Sequence, residues 1–201
     1  MVEKDPSNRA WQRKMRIAEL RVIETDQKQN PAQSLNRLEK LSQVFTDMSV
    51  LEPKRVNLLV MVAQIQQKKA ALLMQQGQPV LASQSLQPAL NKLKQLHSAS
   101  PADITVRRAT IDALLLAADL SVMQRQQSDA LDHCEGVRTM LRQTVIGASD
   151  FQLLAPWVKA HACLNQSDQV SGIKKQLEAM PYRDAAYLHY LSTHPPKKAT
   201  S

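Results

Sequence analysis

Hydrophobic residues recur at the three- and four-residue spacings of amphipathic helices along nearly the whole chain. No segment shows the two-residue alternation typical of a half-buried strand. The pattern, with its Pro and Gly interruptions, therefore predicts an all-α protein. The expected helices cover about 7–28, 31–51, 54–76, 79–99, 101–125, 128–146, 150–164 and 167–180, with a short last helix over 184–191.

Local signals predict where several helices begin and end. Asn30 and Pro31 are suited to the N-cap and first helical position of the second helix. Ser100–Asp103 and Ser149–Gln152 resemble capping boxes that would open the fifth and seventh helices. Gly77 is suited to end the third helix. Pro88 lies inside the fourth helix and is expected to kink it, because proline has no N–H for the helical ladder; the alternative is that it lies nearer the start of the helix.

The apolar stripes predict which side chains form the core. In the first helix Trp11, Met15, Ala18 and Val22 share one face, and we expect this face to be buried. Trp11 is thus predicted to be a core anchor, as is Trp157 in the seventh helix. His161, in a packing position, is expected to be a buried histidine whose nitrogens are hydrogen-bonded.

Short turns join the helices as pairs 1/2, 3/4, 5/6 and 7/8, and such pairs bury their apolar faces only by packing on neighbours. Small or apolar residues recur 48 positions apart between the second and third pairs. The matching positions are Ala70 and Ala118, Ala82 and Ala130, and Leu86 and Cys134.

This recurrence resembles the tetratricopeptide repeat, which has one small residue midway along its first helix and a small, large, small series along its second. The chain departs from that family in its longer period, against roughly 34 residues, and in lacking the motif's Trp and Tyr in pairs 2 and 3. The segment 177–188 resembles the closing segment of tetratricopeptide regions in bacterial signalling proteins, including serine/threonine kinases and membrane-anchored winged-helix regulators.

The resemblance implies a right-handed stack of about four antiparallel helical hairpins with a short C-terminal capping helix. It implies a non-enzymatic interaction module, a scaffold, adaptor or sensing domain, with a protein or peptide partner. We expect one domain over 7–194, between a disordered start (1–6) and a disordered basic tail (195–201). The groove positions that the resemblance implies are Gln64, Gln67, Lys68, Asp112, Asp119, Gln152 and Lys159; the alternative for each is a solvated surface position.

Composition leaves two other functions open. The net charge of +8 favours nucleic acid or an anionic surface as a partner, but the basic residues are scattered as pairs and no nucleic-acid-binding motif accompanies them. Nucleic acid is therefore not expected. The second alternative is a ligand-binding sensor with a cavity between helices. Self-association into a homo-oligomer is also open.

Candidate chemistry is sparse. No Walker loop, nucleophile elbow or zincin motif is present, so we predict no enzyme, no catalytic residue and no cofactor. His133, Cys134, His161 and Cys163 are suitable zinc-ligand types, but neither neighbouring pair shares a helix face, so no metal site is expected. The two cysteines are expected to be buried free thiols; a bridge, which requires Cα atoms within about 7 Å, is the alternative.

No apolar run approaches the length of a membrane-spanning helix. The first residues, with Glu3, Lys4 and Asp5, do not resemble a secretory signal. The compartment is open: cytoplasmic, or periplasmic if an upstream anchor or signal has been removed.

Overall fold

The computed structural model describes residues 8–27, 29–180 and 187. These residues form an all-α fold of eight α-helices and one short 3-10 helix, without strands. The α-helices are α1 (Arg9–Asp26), α2 (Pro31–Leu51), α3 (Val56–Gln75), α4 (Pro79–Ala99), α5 (Ile104–Met123), α6 (Gln127–Leu141), α7 (Phe151–Cys163) and α8 (Ser171–Ala179), with the 3-10 helix at Ser167–Val170.

The proline and glycine signals fix most boundaries as predicted. α2 and α4 begin at Pro31 and Pro79. Gly77 follows α3 with a φ of +72°, a left-handed conformation that glycine adopts without a steric penalty. α4 continues through Pro88. Several predictions lie outside the described residues: the disordered start (1–6), both ends of the first helix (7 and 28) and the basic tail (195–201). Of the short last helix (184–191), only Tyr187 is described.

Two predicted boundaries are wrong. α5 begins at Ile104 rather than after Ser100, because the Asp103 carboxylate accepts hydrogen bonds from the backbone N–H groups of Thr105 and Val106 at 2.8 and 3.1 Å. α6 ends at Leu141, several residues before Gly147. At α7 the cap is Asp150 itself, which accepts from the Gln152 N–H at 2.9 Å.

The chain divides into two compact units, Met1–Ala109 and Thr110–Ser201. In the first, α1 packs on α2, α2 on α3 and α3 on α4. Its central apolar cluster consists of Leu20, Ile23, Leu38, Leu41, Phe45, Leu58, Ile65 and Leu72. Phe45 and Ile65 are fully enclosed there, so α2 and α3 provide the centre of this core.

The small packing positions of the repeat are buried as predicted. Ala70, Ala82 and Ala130 are 0% exposed, and Ala118 is 3% exposed. A side chain of this size lets neighbouring helix axes approach closely. Leu86 and Leu73 fill the spaces beside them in the first unit.

The predicted burial of the first-helix stripe is wrong. Trp11 and Met15 are each 40% exposed and Val22 is 52% exposed, and Ala18 is exposed as well. α1 is buried instead through Leu20 and Ile23 on its opposite side. Trp11 is therefore a surface residue and not a core anchor.

The expectation of free thiols is also wrong. Cys134 of α6 and Cys163 of α7 form a disulfide whose Cα atoms are 6.3 Å apart, inside the range that a bridge needs. The second unit also has its own apolar cluster, in which Leu154, Val158 and Leu177 are buried and Trp157 packs at the edge. Trp157 thus contributes to a core, as predicted, although it is only half-buried.

Candidate functional site

The first unit has an open groove between α2 and α4, with α3 as its floor; we call it the α2–α4 groove. Its volume is about 460 Å³, within the size range of ligand-binding clefts. The apolar part of its lining consists of Leu59, Val62, Ala63, Pro88 and Ala89, and the polar part of Thr46, Ser49, Gln66, Lys69, Gln84, Ser85 and Lys92.

The Gln66 side chain links the two walls of this groove. Its Nε2 donates to Ser42 Oγ of α2 at 2.7 Å, and its Oε1 accepts from Ser85 Oγ of α4 at 2.9 Å. Both amide atoms are therefore satisfied within the protein. These two bonds connect α2 and α4 through a single side chain of α3.

Pro88 removes one helical hydrogen bond from the α4 wall of the groove. A residue at this place in α4 would normally donate its N–H to the carbonyl of Gln84, four residues earlier. Proline has no N–H, and both Gln84 and Pro88 line the groove. The Gln84 carbonyl therefore lacks the bond that the usual helical ladder would give it.

Two lysines give the rim of the groove a positive charge. Lys69 Nζ forms an ion pair with Glu39 of α2 and remains partly exposed. Lys92 is exposed and makes no ion pair with a carboxylate among the described residues. Lys92 is therefore the cation that is available to a bound carboxylate.

The groove residues implied by the family resemblance lie elsewhere. Gln64, Gln67 and Lys68 share the other side of α3 and are half-buried. Gln67 donates to the carbonyl of Ala109 at 2.8 Å, and Lys68 forms an ion pair with Glu24. Two of these three side chains are thus engaged within the protein.

The other four lie in the second unit. Asp112 and Asp119 share one face of α5, and Gln152 and Lys159 share one face of α7, since seven residues span about two helical turns. Asp112 and Gln152 are exposed, whereas Asp119 and Lys159 are half-buried. Gln66, Lys69, Pro88 and Lys92 were assigned to no site from the sequence. The one signal in the sequence that pointed to the α4 wall of the groove was a proline inside the fourth helix.

The second unit contains a further cavity, of about 470 Å³, between α6 and α7; we call it the His161 cavity. His161 is 4% exposed, and neither ring nitrogen has a partner at hydrogen-bonding geometry, although the Gln166 backbone lies close enough to raise its pKa. The expectation of a hydrogen-bonded core histidine is therefore wrong. Its ring packs against Trp157, with 4.4 Å between the ring centroids.

The charge around this cavity is mainly positive. Arg138 and Arg142 line it from α6, together with Glu135. Arg138 is bonded to Glu135 at 2.8 Å and to Gln166 at 3.3 Å, whereas Arg142 is exposed. Burial lowers the pKa of His161 and the Arg138 charge lowers it further, against opposing effects of the Glu135 charge and the Gln166 backbone. The ring is therefore neutral near pH 7 and presents one donor and one acceptor.

Other kinds of site find little support in the described part of the chain. There, no group of three or more His, Cys, Asp or Glu side chains is placed to hold a metal ion. No helix within those residues has the length and apolarity needed to cross a membrane. No protein-family model, curated protein or solved structure matches the chain, so the arguments that follow depend on its own geometry.

Proposed function

We propose that the chain is a non-enzymatic interaction module, a tetratricopeptide-like stack of helical hairpins that holds a segment of a partner protein in the α2–α4 groove. The observation that carries this proposal is the groove itself, with an apolar floor, walls held by Gln66, and a cationic rim at Lys69 and Lys92. Buried repeat positions such as Ala70 and Ala82 support the stacked arrangement.

The lining indicates what kind of segment binds. The apolar floor suits one or two aliphatic or aromatic side chains. Lys92 suits a carboxylate beside them, because an ammonium group attracts an anion most strongly where water is partly excluded. The Gln84 carbonyl suits a backbone N–H. A short peptide segment with an apolar residue next to Asp or Glu provides all three groups, whereas nucleic acid provides no side chain for the floor.

Selection of peptides from a random display library on the 201-residue protein tests this proposal. The enriched peptides should pair apolar with acidic residues and should bind Lys92→Glu at least several-fold more weakly than wild type. Val62→Trp, which fills the floor, should abolish binding. Lys94→Glu is the matched control, since Lys94 is also exposed on α4 but points away from the groove. Peptides that bind all four proteins equally would show that the groove is not the site.

A second candidate function, a sensor of small organic anions, is favoured by the His161 cavity. A buried histidine with two unpaired nitrogens costs free energy that a bound polar ligand would recover. Arg142 is placed to pair with a carboxylate or phosphate group, and Trp157 offers an apolar surface beside it.

Thermal-shift measurements with a panel of small carboxylates and phosphate esters test this second candidate. A ligand at 100 times its dissociation constant adds about 2.7 kcal/mol to stability. That gain should disappear in Arg142→Gln and persist in Lys175→Gln, a change at an exposed lysine of α8 outside the cavity lining. A panel without any stabilising compound would rule out the sensor and leave the peptide-binding proposal unaffected.

A further inference from the structure

The exposed apolar face of α1 has the geometry of a helix–helix interface. Trp11, Met15, Ala18 and Val22, here called the α1 stripe, follow one another at spacings of four, three and four residues. Because each residue turns a helix by about 100°, all four lie within a narrow angular range. Leu20 and Ile23, which attach α1 to the core, lie on the opposite side. The stripe therefore faces away from the rest of the first unit.

The stripe is a continuous strip of exposed apolar residues rather than a scatter of single ones. Trp11 and Met15 are 40% exposed and Val22 is 52% exposed, and they are contiguous over three helical turns. Single exposed apolar residues need no explanation, but a contiguous apolar strip with charged borders marks an interaction site. The four-three spacing is also the pattern of the apolar seam in a coiled coil.

The charged residues beside the stripe are sorted by sign. Lys14 and Arg21 lie along one edge, whereas Glu19 and Asp26 lie along the other. In coiled-coil terms the two cations occupy g positions and the two carboxylates occupy e positions. α1 thus has one cationic edge and one anionic edge, so the edges of two identical helices can attract each other.

We propose that the α1 stripe pairs with the α1 stripe of a second copy of this chain, parallel and in register about a two-fold axis. In that arrangement Lys14 faces Glu19 of the second copy, and Arg21 faces its Asp26, because g and e positions five residues apart meet across a parallel seam. Each contact occurs twice by symmetry. An antiparallel pair would instead place cations against cations and carboxylates against carboxylates.

The contacts that these residues make within one chain are compatible with this pairing. Glu19 is bonded to Arg16 at 2.8 Å, Asp26 to Arg37 at 3.3 Å and Arg21 to Glu24 at 3.3 Å, and all three pairs are partly exposed. Exposed ion pairs contribute about 0–1 kcal/mol each, so exchanging or sharing them costs little. Lys14 lies over the Trp11 ring, with 5.1 Å from Nζ to the ring centroid, as a side chain flanking a seam does.

Sedimentation velocity of the full chain, at protein concentrations over the micromolar range, tests the interface. A concentration-dependent dimer is expected. Met15→Lys combined with Val22→Lys should weaken it by tenfold or more, since losing about 1.4 kcal/mol of apolar burial already gives a factor of ten. Ile17→Lys is the matched control, because Ile17 is 38% exposed on α1 but lies outside the stripe. Far-UV circular dichroism confirms that each variant is folded.

Charge changes test the parallel orientation. The variant Lys14→Glu/Arg21→Glu and the variant Glu19→Lys/Asp26→Lys should each dimerise more weakly than wild type, and a one-to-one mixture of the two should recover the dimer. A wild-type chain that stays monomeric, or a dimer that survives the Met15 and Val22 changes, would overturn the proposal. A folded Ile17 variant that loses the dimer would place the interface elsewhere, and single-edge variants that dimerise like wild type would overturn the parallel orientation.

Discussion

The unpaired nitrogens of His161 make the second unit sensitive to acid. Burial and the Arg138 charge both disfavour the protonated ring, so its pKa is lower folded than unfolded. The unfolded chain consequently binds more protons as pH falls below about 6.5, and stability decreases with it. Above about pH 6.5 His161 is neutral in both the folded and the unfolded chain, so it no longer lowers the free energy of unfolding.

We expect the free energy of unfolding to be lower at about pH 5.5 than at about pH 7.5, as measured by urea denaturation at both values. His161→Leu should reduce this difference. His97, whose pKa is also lowered by burial and by Arg107, should account for part of the remainder, so the double variant with His97→Gln should show the smallest difference. Equal stability of wild type at the two pH values would contradict the explanation.

A second prediction at the residue scale concerns Gly77. Its φ of +72° is a conformation that costs other residues about 1–2 kcal/mol, and an added Cβ would meet no atom within 4 Å. Gly77→Ala should therefore lower the free energy of unfolding by about 1 kcal/mol through the backbone alone. Gly172→Ala, in α8 and also without close neighbours, should have no effect or a small stabilising one. Chemical denaturation of both variants makes the comparison.

At the scale of elements, the disulfide between α6 and α7 is the strongest local constraint. It closes a loop of 29 residues, for which loop-closure entropy gives roughly 3–4 kcal/mol of stabilisation. Replacing both cysteines with alanine should lower stability by about 2–4 kcal/mol, measured by thermal and urea unfolding. Wild type in a reducing agent should move toward the stability of the double variant. An unchanged midpoint under reduction would mean that the bond contributes nothing.

At Pro88 of α4 we expect stability and groove binding to change in opposite directions. Pro88→Ala restores the helical bond to the Gln84 carbonyl, a gain of up to about 3 kcal/mol, partly offset by the greater freedom of the unfolded chain, about 1 kcal/mol. We expect a variant that is more stable by roughly 1–2 kcal/mol and binds groove peptides several-fold more weakly. Calorimetric unfolding and peptide titration measure the two effects. A variant that gains stability and keeps full affinity would show that the Gln84 carbonyl takes no part in binding.

The elements also show which features the sequence determines locally. Pro31, Pro79 and Gly77 act on the backbone within a few residues, and the helix boundaries they predict are observed. The prediction of which side of α1 is buried was wrong because two of its sides are apolar at helical spacing. One carries Trp11, Met15, Ala18 and Val22, and the other carries Leu20 and Ile23. Periodicity alone does not say which side packs on α2. The disulfide and the Gln66 link depend on distances between helices, which no local pattern contains.

The choice between Lys68 and Lys69 also depends on contacts between helices that the local sequence does not contain. Lys68 and Lys69 are adjacent in sequence, yet they point about 100° apart on α3, so only Lys69 reaches the α2–α4 groove. The resemblance to a known repeat selected Lys68, whose charge pairs with Glu24. Which α3 position lines the groove depends on the packing of α2 and α4 against α3. The groove residues of α2 and α4 were assigned to no site from the sequence.

For the whole molecule, the net charge is +8, and many of the individual cations are paired with carboxylates. Ion pairs with carboxylates engage Arg13, Arg16, Arg21, Arg37, Arg55, Lys68, Lys69 and Arg138. A cation that is paired releases fewer counterions when it approaches a phosphate. We therefore expect the chain to attract nucleic acid only weakly and without sequence preference.

Fluorescence anisotropy with labelled duplex DNA at two salt concentrations, about 50 and 200 mM, should thus show weak binding that disappears at the higher value. Groove-peptide binding should change far less between the same two buffers, because its apolar part does not depend on salt. DNA affinity that persists at about 200 mM salt would favour the nucleic-acid alternative over the peptide-binding module.

The bond between Cys134 and Cys163 also means that one sequence can exist as two chemical species. Protein made in a reducing cytoplasm starts with both thiols intact, and air then converts part of it to the cross-linked form, which is lighter by two hydrogen atoms. Such a preparation runs as a single band on a reducing gel. It is expected to unfold in two steps, one for the reduced and one for the cross-linked species. Intact-mass analysis before any binding or stability measurement would show which species each result describes.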